Sequence, residues 1–169
     1  NVIQDKTGTA NITLVYNDKQ TAGGSWITGN FDVGDMEKLD ENKVILSGNA
    51  LIAHEFNEQI VKNKFHLVPL QGKEDQYYNF AHESAVIKEI GMMKNIISIA
   101  DNAQVNGVEY SRIYYDNNKK QMLGVNVGTF STTPTGVVHN FDPRQTIIKP
   151  NANGSYIIKT QKQQVEFTP

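Results

Sequence analysis

Apolar and polar residues alternate near both ends of the chain, whereas in the middle the apolar residues recur at helical spacing. The β-branched stretch Asn11–Tyr16 alternates and is followed by the turn signal Asn17-Asp18. Short apolar runs at Ser25–Thr28 and Lys43–Leu46 are further strand candidates. We therefore expect residues 1–46 to be rich in β-structure.

The period changes to that of a helix after Ser47-Gly48-Asn49, which offers N-cap chemistry. The spacing predicts a first helix over residues 50–63. One of its faces carries an apolar stripe formed by Ile52, Phe56 and Ile60. The opposite face holds His54 and Glu58 between Leu51 and Val61. Because both faces contain apolar residues, this helix is expected to be buried on two sides, with the His54/Glu58 pair against another element.

A loop is expected over residues 64–76, which include Pro69 and Gly72. The second helix is predicted to begin near Asp75 and to run through Glu89. Its 3.6-residue period places five side chains on one face: Tyr78, His82, Val86, Glu89 and Met93. Gly91 is expected to kink or end this helix, and Asn95–Ala100 to continue it.

From residue 104 the pattern is that of strands again. Val108–Tyr115 is expected to pair with Met122–Val127 as a hairpin across the turn at Asp116–Lys119. Three later strands are predicted, separated by Pro and Gly: Val137-Val138, Thr146–Ile148 and Tyr156–Ile158. The order of strands, two helices and strands indicates an α+β fold.

This order predicts one domain over residues 1–169, with β-rich segments at 1–46 and 104–169 and a helical segment at 47–100. In that arrangement two central packed helices are flanked by an antiparallel sheet built from both ends of the chain. A length of 169 residues suits a single domain with a sizeable core.

The composition limits the possible binding partners and metal ligands of this chain more than it limits the fold. The net charge of −2 gives no reason to expect binding to nucleic acid or to an anionic membrane. The chain has no apolar run near ~18 residues, so no transmembrane helix is expected. Cysteine is absent. Any bound metal must therefore be held by His, Asp or Glu side chains.

The stretch Ala53–Gln59 carries the strongest chemical signal. His54 and Glu58 are one helical turn apart and point to the same side, while Glu55 lies about 100° around the axis. This resembles the zincin arrangement, in which residues at i and i+4 bind zinc and the Glu after the first ligand is the general base. The second ligand is Glu58 here, where zincins have His.

A catalytic zinc ion takes about three protein ligands, so a third is expected from the second helix. His82 is the best candidate there. Glu89 lies roughly 10 Å further along that helix by its rise, and is either an alternative ligand or a carboxylate that orients a histidine. Glu83 ranks third. The hydroxyl of Tyr78, or of the neighbouring Tyr77, is a candidate for stabilising an oxyanion.

Simpler interpretations stand beside this one. A His with a Glu four residues later is also typical of a plain hydrogen bond or ion pair. His66 falls in a predicted loop, where a solvated role is expected. His139 is a candidate nuclease base, although its surroundings complete no metal-nuclease pattern.

Residues 44–115 resemble the zincin-type metallopeptidase domains of bacterial polymorphic toxins, including Rhs-type proteins. The resemblance is carried by Leu51-Ile52-Ala53-His54-Glu55, which is similar to a helix of the form LAHE, by Ala85–Glu89 in the second helix and by Ser111–Tyr115 in a following strand. It implies zinc as cofactor, His54 as ligand and Glu55 as general base. It implies His82 or a neighbouring carboxylate as the third ligand.

The same resemblance implies a protein or peptide substrate, a cognate immunity protein as partner, and secretion or delivery into a target cell. The alternative hypothesis is a non-catalytic secreted binding or adhesion module, whose helices carry a structural His/Glu network. A nuclease toxin that uses His139 is the third hypothesis, and the mildly acidic composition disfavours it.

Overall fold

The computed structural model describes residues 10–67, 74–134 and 136–169. The N-terminal elements are strands β1 (Thr13–Val15) and β2 (Asn30–Asp32), followed by helices α1 (Val33–Glu41), α2 (Gly48–Lys64) and α3 (Glu74–Met92). Six strands follow: β3 (Ile96–Val105), β4 (Val108–Asp116), β5 (Gln121–Thr133), β6 (Gly136–Ile148), β7 (Tyr156–Lys159) and β8 (Gln164–Phe167). The fold class is α+β, as predicted.

The chain divides into two compact units. One comprises Asn1–Met93 and Thr129–Phe141, and the other comprises Lys94–Gly128 and Asp142–Pro169. All three helices lie in the first unit. The expectation of a single domain over 1–169 stays a prediction. No helix in the described ranges has both the length and the apolar character needed to cross a membrane.

The six later strands form one antiparallel sheet in the order β6-β5-β4-β3-β7-β8. The predicted hairpin of β4 and β5 is confirmed, with Arg112 opposite Val125 and Asp116 opposite Gln121. The two strands predicted at 137–138 and 146–148 form the single strand β6. In the second unit, the core on this sheet contains Ala103, Val105, Tyr110, Ile113, Tyr115, Met122, Ile148, Tyr156 and Ile158.

The prediction that both ends of the chain contribute to this sheet is wrong. Strands β1 and β2 pair only with each other among the named strands, in parallel, as a separate two-stranded sheet. Parallel pairing requires a long connection, and residues 16–29 provide it as a folded loop. This loop matters for the site because its backbone packs against α2.

Helices α2 and α3 pack together, as predicted. Helix α2 begins after Ser47, whose hydroxyl accepts a hydrogen bond from the Ala50 N–H at 3.2 Å and so caps it. Ala81 and Ala85 of α3 are fully buried, and such small residues let the two helices approach closely. The amide of Asn57 donates to the Ser84 hydroxyl at 2.8 Å and ties the helices together. The expectation that α2 is buried on both sides is confirmed.

Two strands predicted before α2 are wrong. Ser25–Thr28 forms a tight loop, closed by bonds from Ser25 N–H to the Asn30 carbonyl and from Gly29 N–H to the Ser25 carbonyl. Lys43–Leu46 forms the turn after α1, with Lys43 at a positive φ of 51°. Val44 and Leu46 are buried. The apolar pattern therefore marked Val44 and Leu46 correctly as core positions, but in the described part of the chain these residues belong to no strand.

Residues 33–41 form helix α1 where only β-structure was expected. Two signals for it are present in the sequence. Asp32 is the N-cap, and its carboxylate accepts a hydrogen bond from Asp35 N–H at 3.2 Å. Met36 and Leu39, spaced by three residues, form the buried face.

The prediction that Asn95–Ala100 continues the second helix is also wrong, because α3 ends at Met92 and β3 begins at Ile96. Asn95 adopts a left-handed conformation with φ 63°, a common way to leave a helix. The β-branched residues that follow then favour a strand. The loop predicted at 64–76 is shorter than expected, since Glu74 already belongs to α3. Residues 68–73 lie outside the described part.

Candidate metal centre

Two side chains of α2 and one of α3 meet in a buried triangle. The Nε2 atom of His54 lies 3.0 Å from Glu58 Oε1 and 3.1 Å from His82 Nδ1. The third edge, from His82 Nδ1 to Glu58 Oε1, measures 2.9 Å. His54 is 1% and Glu58 2% exposed, while the side chain of His82 is 16% exposed. The structure thus brings together the three residues expected as ligands, which form a group that can hold a metal ion.

Hydrogen bonds alone cannot account for all three short distances in this triangle. Every hydrogen bond joins one donor to one acceptor, and an ionised carboxylate oxygen only accepts. With Glu58 ionised, either both ring nitrogens are protonated and face each other as donors, or one edge joins two lone pairs. A cation at the centre removes the conflict, because all three atoms then direct lone pairs at it.

The dimensions of the triangle also suit zinc. Three atoms about 3 Å apart lie about 1.7 Å from their centre, so an ion about 2 Å from each would stand about 1 Å out of their plane. Ligand atoms around tetrahedral zinc are about 3.3 Å apart, so the side chains need to spread by only a few tenths of an ångström. Three protein ligands leave the fourth position for water or substrate.

Glu89 occupies the other side of the His54 ring. Its Oε2 atom lies 2.9 Å from His54 Nδ1, and its side chain is fully buried. A carboxylate at Nδ1 favours the proton on that nitrogen, which leaves the Nε2 lone pair directed into the triangle. Of the two roles that the sequence left open for Glu89, the geometry matches a carboxylate that orients a histidine.

Glu58 is held ionised by its neighbours. Burial raises the pKa of its carboxyl group, but the hydrogen bonds and electrostatic attraction of His54 and His82 together lower it by more. The pKa therefore lies below its usual range. An ionised, buried carboxylate between two imidazoles is the electrostatic environment that a divalent cation requires.

Tyr78 lies one turn before His82 on α3. Its hydroxyl oxygen is 3.2 Å from His82 Nδ1, and the two rings stack with centroids 5.0 Å apart and an interplanar angle of 28°. Trp26, from the loop between β1 and β2, meets the Tyr78 ring edge-on at 6.0 Å. The phenol is therefore held beside the most exposed of the three candidate ligands.

Glu55, the residue expected to act as a base, is 8% exposed and packs against the loop between β1 and β2. A methyl group added at Gly24 would come 2.1 Å from both Cδ and Oε2 of Glu55, so the carboxylate lies directly on the glycine backbone. Gly24 itself is fixed by a bridge to Phe31. Only a residue without a side chain leaves room for Glu55 in this position.

The remaining candidates lie elsewhere. Glu83 is exposed on α3, and the phenol ring of Tyr77 packs against the cluster that contains Trp26. His66 is exposed in the turn after α2, and His139 on β6 is half-buried with its ring against Phe130 at 4.5 Å. Across the described ranges, His54, Glu58 and His82 are the one set of three or more such side chains close enough to share a metal.

Sequence reasoning missed Gly24 altogether. Nothing in the spacing of the Gly23-Gly24 pair indicates that Gly24 would lie on a carboxylate 31 residues later. The sequence also did not decide whether Glu89 contacts His54. Helix periodicity gives the face on which a residue lies, but not how far its side chain reaches.

Comparison with known protein families found no family model that matches this chain, and comparison with curated proteins and with solved structures found no match either. The interpretation of the centre therefore depends on its geometry.

Replacing Glu89 with Gln tests its role beside His54. The substitution preserves volume but removes the charge that fixes the ring, so we expect zinc affinity to fall by about 10- to 100-fold while the fold is retained. Competition with a chromophoric chelator measures the affinity, and circular dichroism checks the fold. Glu83→Gln, an exposed change on the same helix, is the control. Equal zinc affinities for Glu89→Gln and wild type would contradict this role.

Proposed function

We propose that this chain is a zinc-dependent, peptidase-like effector or toxin domain. The observation that carries the proposal is the buried triangle of His54, Glu58 and His82. Its donors are two imidazoles and one carboxylate, the same set that serves several zinc enzymes with an open fourth position. Glu58 stands where zincins have His, but together with His82 of α3 the set still contains two imidazoles and one carboxylate.

Each residue of the centre then has a distinct task. Zinc bound by this donor set lowers the pKa of its water and polarises a carbonyl oxygen. We assign to Glu55, adjacent to a ligand but pointing to a different side of α2, the role of accepting the proton from the attacking water. Glu89 maintains the ring orientation of His54. Tyr78 is better placed than Tyr77 to donate a hydrogen bond to a developing oxyanion, because its hydroxyl already reaches His82.

The biological setting follows from the resemblance of residues 44–115 to toxin metallopeptidase domains. In that setting the substrate is a protein or peptide in a target cell, the domain is secreted or delivered, and the producing cell protects itself with an immunity protein. Neither nucleic acid nor membrane is part of the proposal.

The alternative is a non-catalytic binding module in which the same residues form a structural network. His54 lies between Glu58 at 3.0 Å and Glu89 at 2.9 Å, so a protonated imidazole would be ion-paired on both sides without a metal. In this alternative, the contact between His54 Nε2 and His82 Nδ1 is repulsive when both nitrogens are protonated. Metal content separates the two.

Zinc should co-purify with the full chain at about one ion per molecule when no chelator is used. Elemental analysis measures this directly. His54→Ala should lose the ion, because it removes one ligand from the triangle. His66→Asn is the matched control, since His66 is exposed and its positive φ of 50° is tolerated by Asn. Wild-type protein without stoichiometric zinc, even after incubation with zinc salt, would favour the binding module.

Glu55→Gln separates proton transfer from metal binding. Gln retains the shape of the side chain but cannot accept the proton, so we expect the variant to keep zinc and fold while peptidase or toxic activity falls by ~10²-fold or more. Cleavage of a peptide library or growth inhibition on expression measures activity. A Glu55→Gln protein as active as wild type would show that another group is the base.

Gly24→Ala tests whether the loop backbone positions Glu55. The new methyl group would overlap the Glu55 carboxyl, so the side chain must move, and a displacement near 1 Å costs ~10²-fold in rate. Zinc content should not change, because the three atoms nearest to the added Cβ all belong to Glu55 and none belongs to a ligand of the triangle. Gly91→Ala is the control: no atom lies within 4 Å of its added Cβ, and Ala favours the helix. Full activity in Gly24→Ala would remove the positioning role.

A further inference from the structure

His82 Nδ1 is surrounded by more polar atoms than its protons can serve. Glu58 Oε1 lies at 2.9 Å, His54 Nε2 at 3.1 Å and the Tyr78 hydroxyl oxygen at 3.2 Å. A ring nitrogen has a single hydrogen-bonding direction in the plane of the ring, so it can bond well to only one of them. Three neighbours at nearly equal distances instead match the spacing of ligand atoms around one ion.

The Tyr78 hydroxyl completes the set to four donor atoms. Two ring contacts hold the hydroxyl there. The phenol ring of Tyr78 stacks on the His82 ring, and Trp26 packs edge-on against the same phenol ring. His54 and Glu58 are almost completely buried, whereas Tyr78 is 36% exposed. Tyr78 is therefore the most exposed of the four side chains.

We propose that Tyr78 is the fourth protein ligand of the resting site. This inference rests on the metal centre proposed above. On binding, the phenol oxygen forms a bond to the ion and its proton passes to solvent. For substrate to react, that bond breaks, the phenolate regains a proton from solvent, and water takes the vacated position. A four-ligand site is closed and a three-ligand site is open, so the position of Tyr78 decides which state the centre occupies.

The consequence is that the domain holds its metal tightly but exposes it only when Tyr78 moves. Tyr78 is on the surface of α3 and is not part of the buried core, so its side chain can turn away without disturbing the helix pair. A peptide that enters between Tyr78 and His82 would displace the Tyr78 side chain from the ion. Closure of the site without substrate is a useful property for a hydrolytic domain before it reaches its target.

Copper(II) reports this ligand directly, because a phenolate bound to copper gives a charge-transfer absorption band in the visible region. We expect the band when the metal-free full chain is loaded with one equivalent of copper(II). Tyr78→Phe should lose the band and bind zinc about 10-fold more weakly or worse, at least the loss seen on removing a group that supports a ligand. Tyr77→Phe, one residue away on the same helix, should retain both the band and the affinity.

Each outcome decides the proposal. If wild type binds one metal ion but shows no phenolate band, Tyr78 is not a ligand and the three-residue centre stands. If the band persists in Tyr78→Phe, another tyrosine is the ligand and the inference is wrong. If wild type binds no metal, both the inference and the proposed function are overturned. The wild-type spectrum is decisive even if Tyr78→Phe folds poorly.

Discussion

Two carboxylates and an imidazole are enclosed between α2 and α3, and their charges must be neutralised for the helix pair to exist. Glu89 is fully buried, and Glu58 and His54 are 2% and 1% exposed. An unpaired charge in such surroundings costs several kcal/mol, more than one or two hydrogen bonds return. Because the groups come from both helices, they can be paired only when the helices are aligned as observed. A shift of one turn, about 5.4 Å, would separate the pairs that join the two helices, which are His54 with Glu89 and His82 with Glu58.

Small and polar side chains are both present where the two helices meet. Ala81 and Ala85 provide close approach and Asn57 bonds to Ser84, while the space beside them is occupied by the polar triangle. A hydrophobic replacement of such a cluster is often neutral or stabilising in other proteins. A role in stability alone therefore does not account for such a cluster, and its two imidazoles and one carboxylate form a group that can hold a metal ion.

The sequence predicted the three residues of the triangle because the face on which each one lies is set by its own helix. His54 and Glu58 are one turn apart in a helix whose period and N-cap are both clear, and His82 lies on the inner face of the next helix. The errors fall where structure depends on distant partners. Val44 and Leu46 look like a strand and are buried, but whether a strand forms depends on a neighbour that the local pattern does not reveal. The contact of Gly24 with Glu55 is of the same type, since it depends on how a loop folds back onto α2.

Burial also creates a conflict between holding a metal and using it. A site enclosed on all sides holds its ion well but admits no substrate. A site open to water admits substrate but holds its ion less well. Here the exposure is uneven: His54 and Glu58 are enclosed, His82 is partly accessible, and Tyr78, which contacts His82, is the most exposed. In the proposed centre, the two enclosed side chains would hold the ion while the two more exposed ones would control access to it. All of these residues belong to the first unit, and within the described residues no side chain of the second unit takes part in the triangle.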